Sequence, residues 1–143
     1  MNIKIQVLEH GYSLVRATAG ASAFDIRNPS EEVYLRKGKS VKVPLGIKSA
    51  IPEGMLAIME PRSGSGSRGV RLMNTVGYID TDYRGEWIAV LTLDPAAKEE
   101  VTFKRGDRML QVAFVHTSTD ITYTSELDET ERGEGGFGST GEE

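Results

Sequence analysis

Apolar and polar residues alternate along many short stretches of the chain, and a period of two is typical of β-strands with one buried face. The clearest alternation is at residues 40–44, where Val41 and Val43 fall on one face. The run at residues 55–59 is continuously apolar, which predicts a strand buried on both faces. The strands predicted from these patterns are residues 3–8, 14–18, 23–26, 31–35, 40–44, 46–51, 55–59, 87–93, 109–115 and 121–123.

Helical periodicity is weak by comparison. No window of a dozen residues has a clean helical period, although residues 65–68 could form one turn, and residues 95–100 are expected to be a turn or loop. Many short strands separated by Gly, Pro and Asp are typical of an all-β sandwich or barrel. We therefore expect an all-β fold in this chain of 143 residues, which is long enough for one domain with a real core.

The C-terminal residues differ in composition from the rest of the chain. Residues 128–143, DETERGEGGFGSTGEE, are rich in glycine and acidic residues and contain one aromatic residue, Phe137. Such a segment cannot build a core and is expected to be mobile when free. We therefore expect a folded domain at residues 1–127 and a flexible C-terminal arm at residues 128–143.

The composition argues against several classes of function. The chain has no cysteine, which excludes disulfide and thiolate chemistry and favours a cytoplasmic location. It has no apolar run long enough to span a bilayer, and its first residues lack the pattern of a signal peptide. The two histidines, His10 and His116, match no zinc-ligand spacing. A net charge of −4 argues against nucleic-acid binding, although a few local arginines can still attract a small anion.

The stretch at residues 74–87, NTVGYIDTDYRGEW, contains the strongest candidate chemistry. Asp80 and Asp82 lie within three residues of each other, and Tyr83 follows directly. Apolar residues on both sides predict a β-hairpin with the carboxylates at its turn. A rigid tip of this kind can hold a small polar ligand and transfer a proton through a carboxylate.

Other polar groups could bind the same ligand. Residues 61–69 supply glycine N–H groups, serine hydroxyls, Arg62 and Arg68, which together suit a phosphate, although a flexible surface loop has a similar composition. Gln111 lies within an apolar strand, so its amide must bond either to a neighbouring backbone group or to a ligand. Asp25 is either a strand-edge residue or a group that orients the waters of a bound Mg²⁺.

The arm combines charge, an aromatic ring and hydroxyl groups. Arg132 and Phe137 are separated by glycines and are followed by Ser139 and Thr140. A simple linker is one explanation. The other is a lid over a bound nucleotide, in which the aromatic ring stacks on a base, an interaction worth about 1–3 kcal/mol.

Taken together, these residues resemble the trimeric dUTPase family over nearly the whole chain and in the family's motif order. Residues 22 and 23 are Ser22-Ala23 where the family usually has Ala-Gly. The segment between Gly64 and Asn74 looks about one residue shorter than in many members, so the resemblance does not fix the position of Arg68. The five matching motifs, of which the third and fifth are the most specific, are residues 21–26, 61–64, 77–85, 106–108 with Gln111, and 132–141.

The resemblance implies a jelly-roll-like β subunit in a homotrimer whose active sites are shared between subunits. It implies Mg²⁺-assisted hydrolysis of dUTP to dUMP and pyrophosphate, with in-line attack of water at the α-phosphate. Asp80 would be the general base, Tyr83 would pack under the deoxyribose, and Asp25 would contact Mg²⁺ through water. The other residues implied to bind substrate are Arg62, Ser63, Gly64, Asn74, Gly77, Gln111, Arg132, Phe137, Gly138, Ser139 and Thr140.

Two other functions are compatible with the same residues. A dCTP deaminase shares the fold, but the complete arm and the Asp80-Thr81-Asp82-Tyr83 sequence argue against it. The second alternative is a regulatory protein that binds dUTP and signals through its folded arm to an unidentified partner. The complete set of catalytic residues favours an enzyme over this alternative. Asp82 is expected to shape its turn, and Trp87 to lie in the core or at a trimer interface.

Overall fold

The computed structural model describes residues 1–117, 119–139 and 141, and it confirms an all-β fold. The one helix found in these residues, α1 (Ser63–Ser67), is a single short turn. The strands are β1 (Lys4–Val7), β2 (Phe24–Arg27), β3 (Glu32–Leu35), β4 (Ser40–Pro44), β5 (Ile47–Ala50), β6 (Met55–Pro61), β7 (Val70–Leu72), β8 (Gly77–Ile79), β9 (Ile88–Leu93), β10 (Val101–Lys104) and β11 (Arg108–His116).

Antiparallel pairing joins these strands into a jelly-roll-like arrangement of small sheets. The largest sheet has the order β2-β11-β6-β8, and a three-stranded sheet has the order β4-β9-β7. Two further pairs, β1-β5 and β10-β3, extend the arrangement. No helix in the part of the chain that the structure describes has the length and hydropathy needed to cross a membrane.

The core lies between the sheets and contains the side chains that alternate inward. In β3, for example, Val33 and Leu35 are buried while Glu32 and Tyr34 are exposed. Trp87 is fully buried at the start of β9, and its indole N–H donates to Ser49 Oγ at 3.0 Å. Burying an aromatic side chain of this size is strongly stabilising, and the hydrogen bond removes the cost of burying its one polar group.

Most of the predicted strands are present, and the exceptions have physical causes. In β6, Leu56 and Ile58 are only half-buried, so the prediction of burial on both faces is wrong for the single chain. Residues 14–18 contribute one isolated bridge, Val15 to Asp25, and residues 121–123 are irregular with exposed side chains. The strand β7 was not predicted, because three residues give too little alternation to recognise. The strand β10 was also missed, although Val101 and Phe103 alternate with polar residues.

The chain on either side of Asp80 does not form the predicted hairpin. β8 pairs with β6 in the four-stranded sheet, whereas β9 pairs with β4 and β7 in the other sheet. The connection at residues 80–87 therefore crosses between sheets. Backbone hydrogen bonds of 2.8 Å from Trp87 to Ile47, and from Leu45 to Trp87, fix its end to the start of β5 and the residue after β4.

Candidate active site

A buried carboxylate and two arginines form a cluster across three neighbouring strands. Asp25 lies on β2, Arg108 begins β11, and Arg62 directly follows β6. One oxygen of Asp25 is 2.8 Å from Arg62 Nε, and the other is 3.5 Å from Arg108 Nη1. Because the side chain of Asp25 is only 11% exposed, two arginines balance a carboxylate that is costly to bury alone. The cluster keeps a net positive charge and unused N–H donors, which suits a phosphate.

An irregularity in β11 explains why Arg108 belongs to this cluster. The pairing of β11 with β2 shifts between Arg108 and Leu110, and both Met109 and Leu110 are fully buried. The extra residue reverses the alternation, so Arg108 lies on the same face as Gln111. Gln111 is paired directly with Asp25. The sequence hypothesis did not include Arg108 among the site residues, and the two consecutive buried apolar residues after it are the signal that could have identified it.

Gln111 anchors the neighbouring strand end. Its amide nitrogen donates to the carbonyl oxygen of Pro61 at 3.3 Å and to Glu60 at 3.4 Å. The amide therefore has a neighbouring backbone partner, which was one of the two predicted possibilities. Its carbonyl oxygen can still accept a bond, and the side chain lies beside Asp25 at the end of β6 where Arg62 follows.

The segment after Arg62 supplies further donors. Arg62 has an extended conformation as the N-cap of α1, and its carbonyl accepts from Gly66 N at 2.7 Å. The N–H groups at the first positions of the helix, those of Ser63 and Gly64, have no acceptor within the helix. Arg68 ends α1 and lines a separate surface cleft with Arg71 and Asp94, so its side chain faces the loop after β9.

Asp80 lies in a loop that local bonds hold firmly. Arg84 donates to the carbonyl oxygen of Thr81 at 2.5 Å and to that of Ser49, on β5, at 3.3 Å. Tyr83 N donates to the Asp80 carbonyl at 3.3 Å. The carboxylate of Asp80 is exposed beyond the end of β8. A carboxylate on a fixed, accessible loop can accept a proton from a bound water.

Tyr83 folds back over its own loop. Its hydroxyl donates to the Glu86 carbonyl at 2.8 Å, and the side chain remains 42% exposed. The ring passes so close to Gly85 that a Cβ there would lie 2.5 Å from the Tyr83 hydroxyl oxygen. Glycine at position 85 is therefore needed for this ring position, in which one side of Tyr83 is available to a ligand.

Asn74 and Gly77 lie just before Asp80 in the chain. Asn74 is exposed in a tight turn, in which Val76 N donates to its carbonyl at 2.8 Å and Thr75 has a positive φ of 68°. Gly77 packs against Met59, and a Cβ on Gly77 would approach the Met59 Cε to 3.0 Å. Glycine thus lets β8 lie closely against β6 at this point.

The structure places Asp80 and the arginine cluster at opposite ends of β6. Ile79 pairs with Ala57, so Asp80 is level with Leu56, whereas Arg62 follows the other end of the strand. Six residues of strand separate these levels, which corresponds to about 20 Å at about 3.3 Å per residue. A single chain therefore does not bring Asp80 together with Arg62, Asp25 and Gln111.

The described residues of the arm form no hydrogen bond or ion pair with either group. Every hydrogen bond found in residues 119–139 and 141 is local, such as Arg132 Nε to the Gly135 carbonyl at 2.8 Å and Ser139 N to the Gly136 carbonyl at 3.2 Å. Phe137 is fully exposed, and both it and Gly138 have a positive φ. Thr140 lies outside the described residues.

No cluster of three or more His, Asp or Glu side chains suited to a metal ion occurs in residues 1–117, 119–139 and 141. The protein therefore supplies no all-protein cage for Mg²⁺ there. Each carboxylate oxygen of Asp25 contacts one arginine. Because a carboxylate oxygen has two lone pairs, each oxygen can accept one more hydrogen bond. The donor set is thus compatible with Mg²⁺ held chiefly by a ligand's phosphates and touching Asp25 through water.

Fold and site together define an all-β, jelly-roll-like protein with an arginine cluster suited to anions. The dUTPase family model matches residues 10–141. The deoxyuridine 5'-triphosphate nucleotidohydrolase of Neorickettsia sennetsu is 39% identical over 146 residues, covering 98% of this chain and 97% of the relative. That of Caulobacter vibrioides is 40% identical over 130 residues, covering 87% and 83%. The chain belongs to the dUTPase family, which confirms the resemblance inferred from its motifs.

Solved structures agree on the fold. A variant dUTPase of Staphylococcus bacteriophage 80alpha with dUpNHpp has a TM-score of 0.80 at 22% sequence identity, covering 98% of each chain. A variant dUTPase from phage phi11 of S. aureus, described with a coordinated structural Mg(II) ion, has a TM-score of 0.69 at 20% identity, covering 92% of this chain and 97% of that one.

Proposed function

We propose that the chain hydrolyses dUTP to dUMP and pyrophosphate. The observation that carries this proposal is the pair of arginines held on the buried Asp25, beside the first turn of α1. A fixed cationic group with spare N–H donors suits a polyphosphate, whose charge must be neutralised as the leaving group departs. The named relatives at about 40% identity are dUTP nucleotidohydrolases, which selects the substrate.

We further propose that the active site is shared within a homotrimer. Asp80 and Arg62 are separated by about 20 Å along β6, at about 3.3 Å per residue. General acid–base chemistry requires a reach of about 3 Å, or one bridging water. A complete site therefore needs Asp80 of one copy beside the arginine cluster of another. The family resemblance implies that a third copy supplies the arm. Sedimentation analysis that finds a functional monomer would contradict this arrangement.

In the proposed mechanism, Asp80 holds a water and accepts its proton as the water attacks the α-phosphate in line. Proton abstraction by a positioned carboxylate contributes typically about 10²–10⁴-fold. Arg62, Ser63 and Gly64 donate to phosphate oxygens at the end of β6. Gln111 donates there when one of its N–H groups exchanges the 3.4 Å contact with Glu60 for a phosphate oxygen. If Mg²⁺ binds with the triphosphate, Asp25 would help to hold it through water, and the ion would supply further neutralisation of the leaving group.

Selection of the base and sugar is assigned to the exposed loop. Asn74 and the main chain from Gly77 to Tyr83 are proposed to bind the polar edge of uracil. A site built for one donor and acceptor pattern rejects a mismatched base strongly, because the mismatch leaves buried polar groups unpaired. The exposed side of the Tyr83 ring would support the deoxyribose and leave no room for a 2′-hydroxyl.

The arm is proposed to close over the bound nucleotide. Phe137 would stack on the base, while Arg132, Gly138, Ser139 and Thr140 would contact the phosphates. The full exposure of Phe137 and the local hydrogen bonding of Arg132 support this role, because both groups are free to meet a ligand. We also infer a cytoplasmic location from the cysteine-free composition, which subcellular fractionation would test.

The decisive test is pyrophosphate release from dUTP with Mg²⁺, using the Asp80→Asn variant. Turnover should fall about 10²–10⁴-fold because the proton acceptor is lost. Binding of a non-hydrolysable dUTP analogue should persist. Asp82→Asn is the matched control, since it makes the same chemical change two residues away, and it should keep near wild-type turnover.

Three results would overturn parts of this proposal. Unchanged turnover in Asp80→Asn would remove Asp80 from the role of base. Release of ammonia from dCTP would identify a deaminase instead. Tight binding of dUTP by the wild-type protein without turnover would favour the regulatory function.

A further inference from the structure

His10 is joined to the loop that carries Tyr83. Its Nε2 lies 2.9 Å from Glu86 Oε1, and Glu86 is half-buried, with its side chain 22% exposed. The backbone carbonyl of the same Glu86 accepts the Tyr83 hydroxyl at 2.8 Å. Glu86 therefore links the two residues: its side chain contacts the His10 imidazole, and its main-chain carbonyl accepts from the Tyr83 phenol.

The turn that carries His10 is itself tightly anchored. Leu8 N donates to the Gly46 carbonyl at 2.8 Å, and Gly11 N donates to the Leu8 carbonyl at 2.9 Å. The backbones of Gly11 and Gly46 are so close that a Cβ on either would collide with the other residue's main chain. His10 is thus held at a fixed place beside β5 rather than on a free loop.

Glu86 is also fixed from the side of β5. The next residue, Trp87, is fully buried, and its N–H donates to the Ile47 carbonyl at 2.8 Å. Rotation of the Glu86 peptide would withdraw the acceptor of the Tyr83 hydroxyl. That carbonyl belongs to the same planar peptide as Trp87 N–H, so the Ile47 bond restrains one end of Glu86. The bond from His10 to the Glu86 side chain adds a restraint from the other side.

From this geometry we infer that His10 is a positioning residue for discrimination of the sugar, acting on the Tyr83 ring through Glu86. The inference rests on the proposed role of Tyr83 as the group that excludes a 2′-hydroxyl. Without the bond from His10, the Glu86 peptide and the Tyr83 ring gain freedom. The ring can then yield to a ribose, and selectivity for dUTP over UTP decreases while the chemistry at Asp80 is unaffected.

The test is the ratio of kcat/KM for dUTP to that for UTP. A single hydrogen bond of this kind changes such a ratio by about three- to tenfold. His10→Ala should lower the ratio by that amount, with kcat for dUTP nearly unchanged. His10→Gln should restore much of it, because a glutamine amide can donate to Glu86 from a similar position. His116→Ala replaces the other histidine, exposed at the end of β11, and should change nothing.

A double-mutant cycle identifies the route of the effect. Tyr83→Phe removes the hydroxyl that bonds to Glu86 and should itself lower the ratio. Adding His10→Ala to Tyr83→Phe should then cause little further loss, because the contact through which His10 acts has gone. Glu86→Ala removes the carboxylate that His10 contacts but keeps the main-chain carbonyl that Tyr83 contacts. It should therefore reproduce the loss of selectivity even if His10→Ala folds poorly.

The outcomes separate this inference from the proposed function. A wild-type protein that does not hydrolyse dUTP overturns both. If the wild type is active and folded His10→Ala and Glu86→Ala proteins keep its selectivity, only the role of His10 is overturned. A loss from His10→Ala that persists in full in the Tyr83→Phe background would also overturn the inference, since His10 would then act by another route.

Discussion

The arginine cluster and the C-terminal arm contain similar functional groups but hold them in opposite ways. Arg62 and Arg108 are fixed on Asp25 across β2, β11 and β6. In the arm, the side chain of Arg132 donates to the nearby Gly135 carbonyl and to no other described residue, and Phe137 is fully exposed. Sheet pairing and a buried ion pair organise the first region before any ligand arrives, whereas the described arm residues are held only by hydrogen bonds among themselves.

This difference predicts that the arginine cluster contributes mainly to ligand affinity and the arm mainly to ligand entry and release. Donors that are already fixed lose little entropy on binding, so most of their interaction energy appears as affinity. A segment that becomes ordered on binding gives up about 2–5 kcal/mol or more of its interaction energy to ordering. In return, it can open for substrate entry and product release. Three changes to the chain test this division.

Truncation after Asp128 should have the largest effect on activity. It removes stacking by Phe137, worth about 1–3 kcal/mol, and the bonds of Arg132 to phosphate, worth about 1.5–3 kcal/mol. We expect kcat/KM for dUTP to fall by at least about a hundredfold, at roughly 1.4 kcal/mol per tenfold. The thermal unfolding midpoint and oligomeric state should be unchanged, because the described arm residues bond only among themselves. A truncated protein with full activity would mean that the arm is not a lid.

Asp25→Asn should affect both stability and activity. The amide keeps the shape of the side chain but removes the charge that pairs with both arginines. We expect a loss of about 1–3 kcal/mol in unfolding free energy, reduced from larger values for buried pairs because Arg62 and Arg108 are 33% and 46% exposed. Denaturant titration measures it, and Asp120→Asn is an exposed control. If stability is unchanged, Asp25 does not hold the cluster together.

Phe137→Ala should have the smallest effect, and only with ligand present. Loss of one stacked aromatic ring should weaken binding by about 1–3 kcal/mol, seen chiefly as a higher KM. Phe137→Tyr keeps a stacking surface and should behave almost as the wild type. Equal KM values for the alanine and tyrosine variants would exclude stacking as the role of this ring.

Local patterns were sufficient to predict most of the fold. The alternation of Val41 and Val43 predicted β4 with its observed bounds, Ser40–Pro44, and the amide of Gln111 in an apolar run identified a residue beside Asp25. The crossing of residues 80–87 between sheets was not predicted, because short strands on either side of a polar turn look alike whether or not they pair. Whether the two strands pair with each other depends on their other partners, which are distant in sequence. Here β8 pairs with β6, and β9 pairs with β4 and β7.

The site was predictable only where a residue was unusual in its own surroundings. Asp80 and Tyr83 stand out in their motif, but Arg108 was not selected, because its role depends on the irregularity that aligns it with Gln111. His10 and Glu86 are far apart in sequence, so nothing local links them. The separation of Asp80 from Arg62 likewise follows only from the register of β8 on β6.

Trp87 has a practical consequence for measurements on this protein. It is the single tryptophan of the chain, it is fully buried, and its indole N–H bonds to Ser49. Intrinsic fluorescence therefore comes chiefly from one chromophore in one well-defined apolar environment. Its emission wavelength reports on the integrity of the core, while the exposed rings of Tyr83 and Phe137 leave that wavelength unchanged when a nucleotide binds. Unfolding can thus be followed by tryptophan emission both with and without a bound nucleotide.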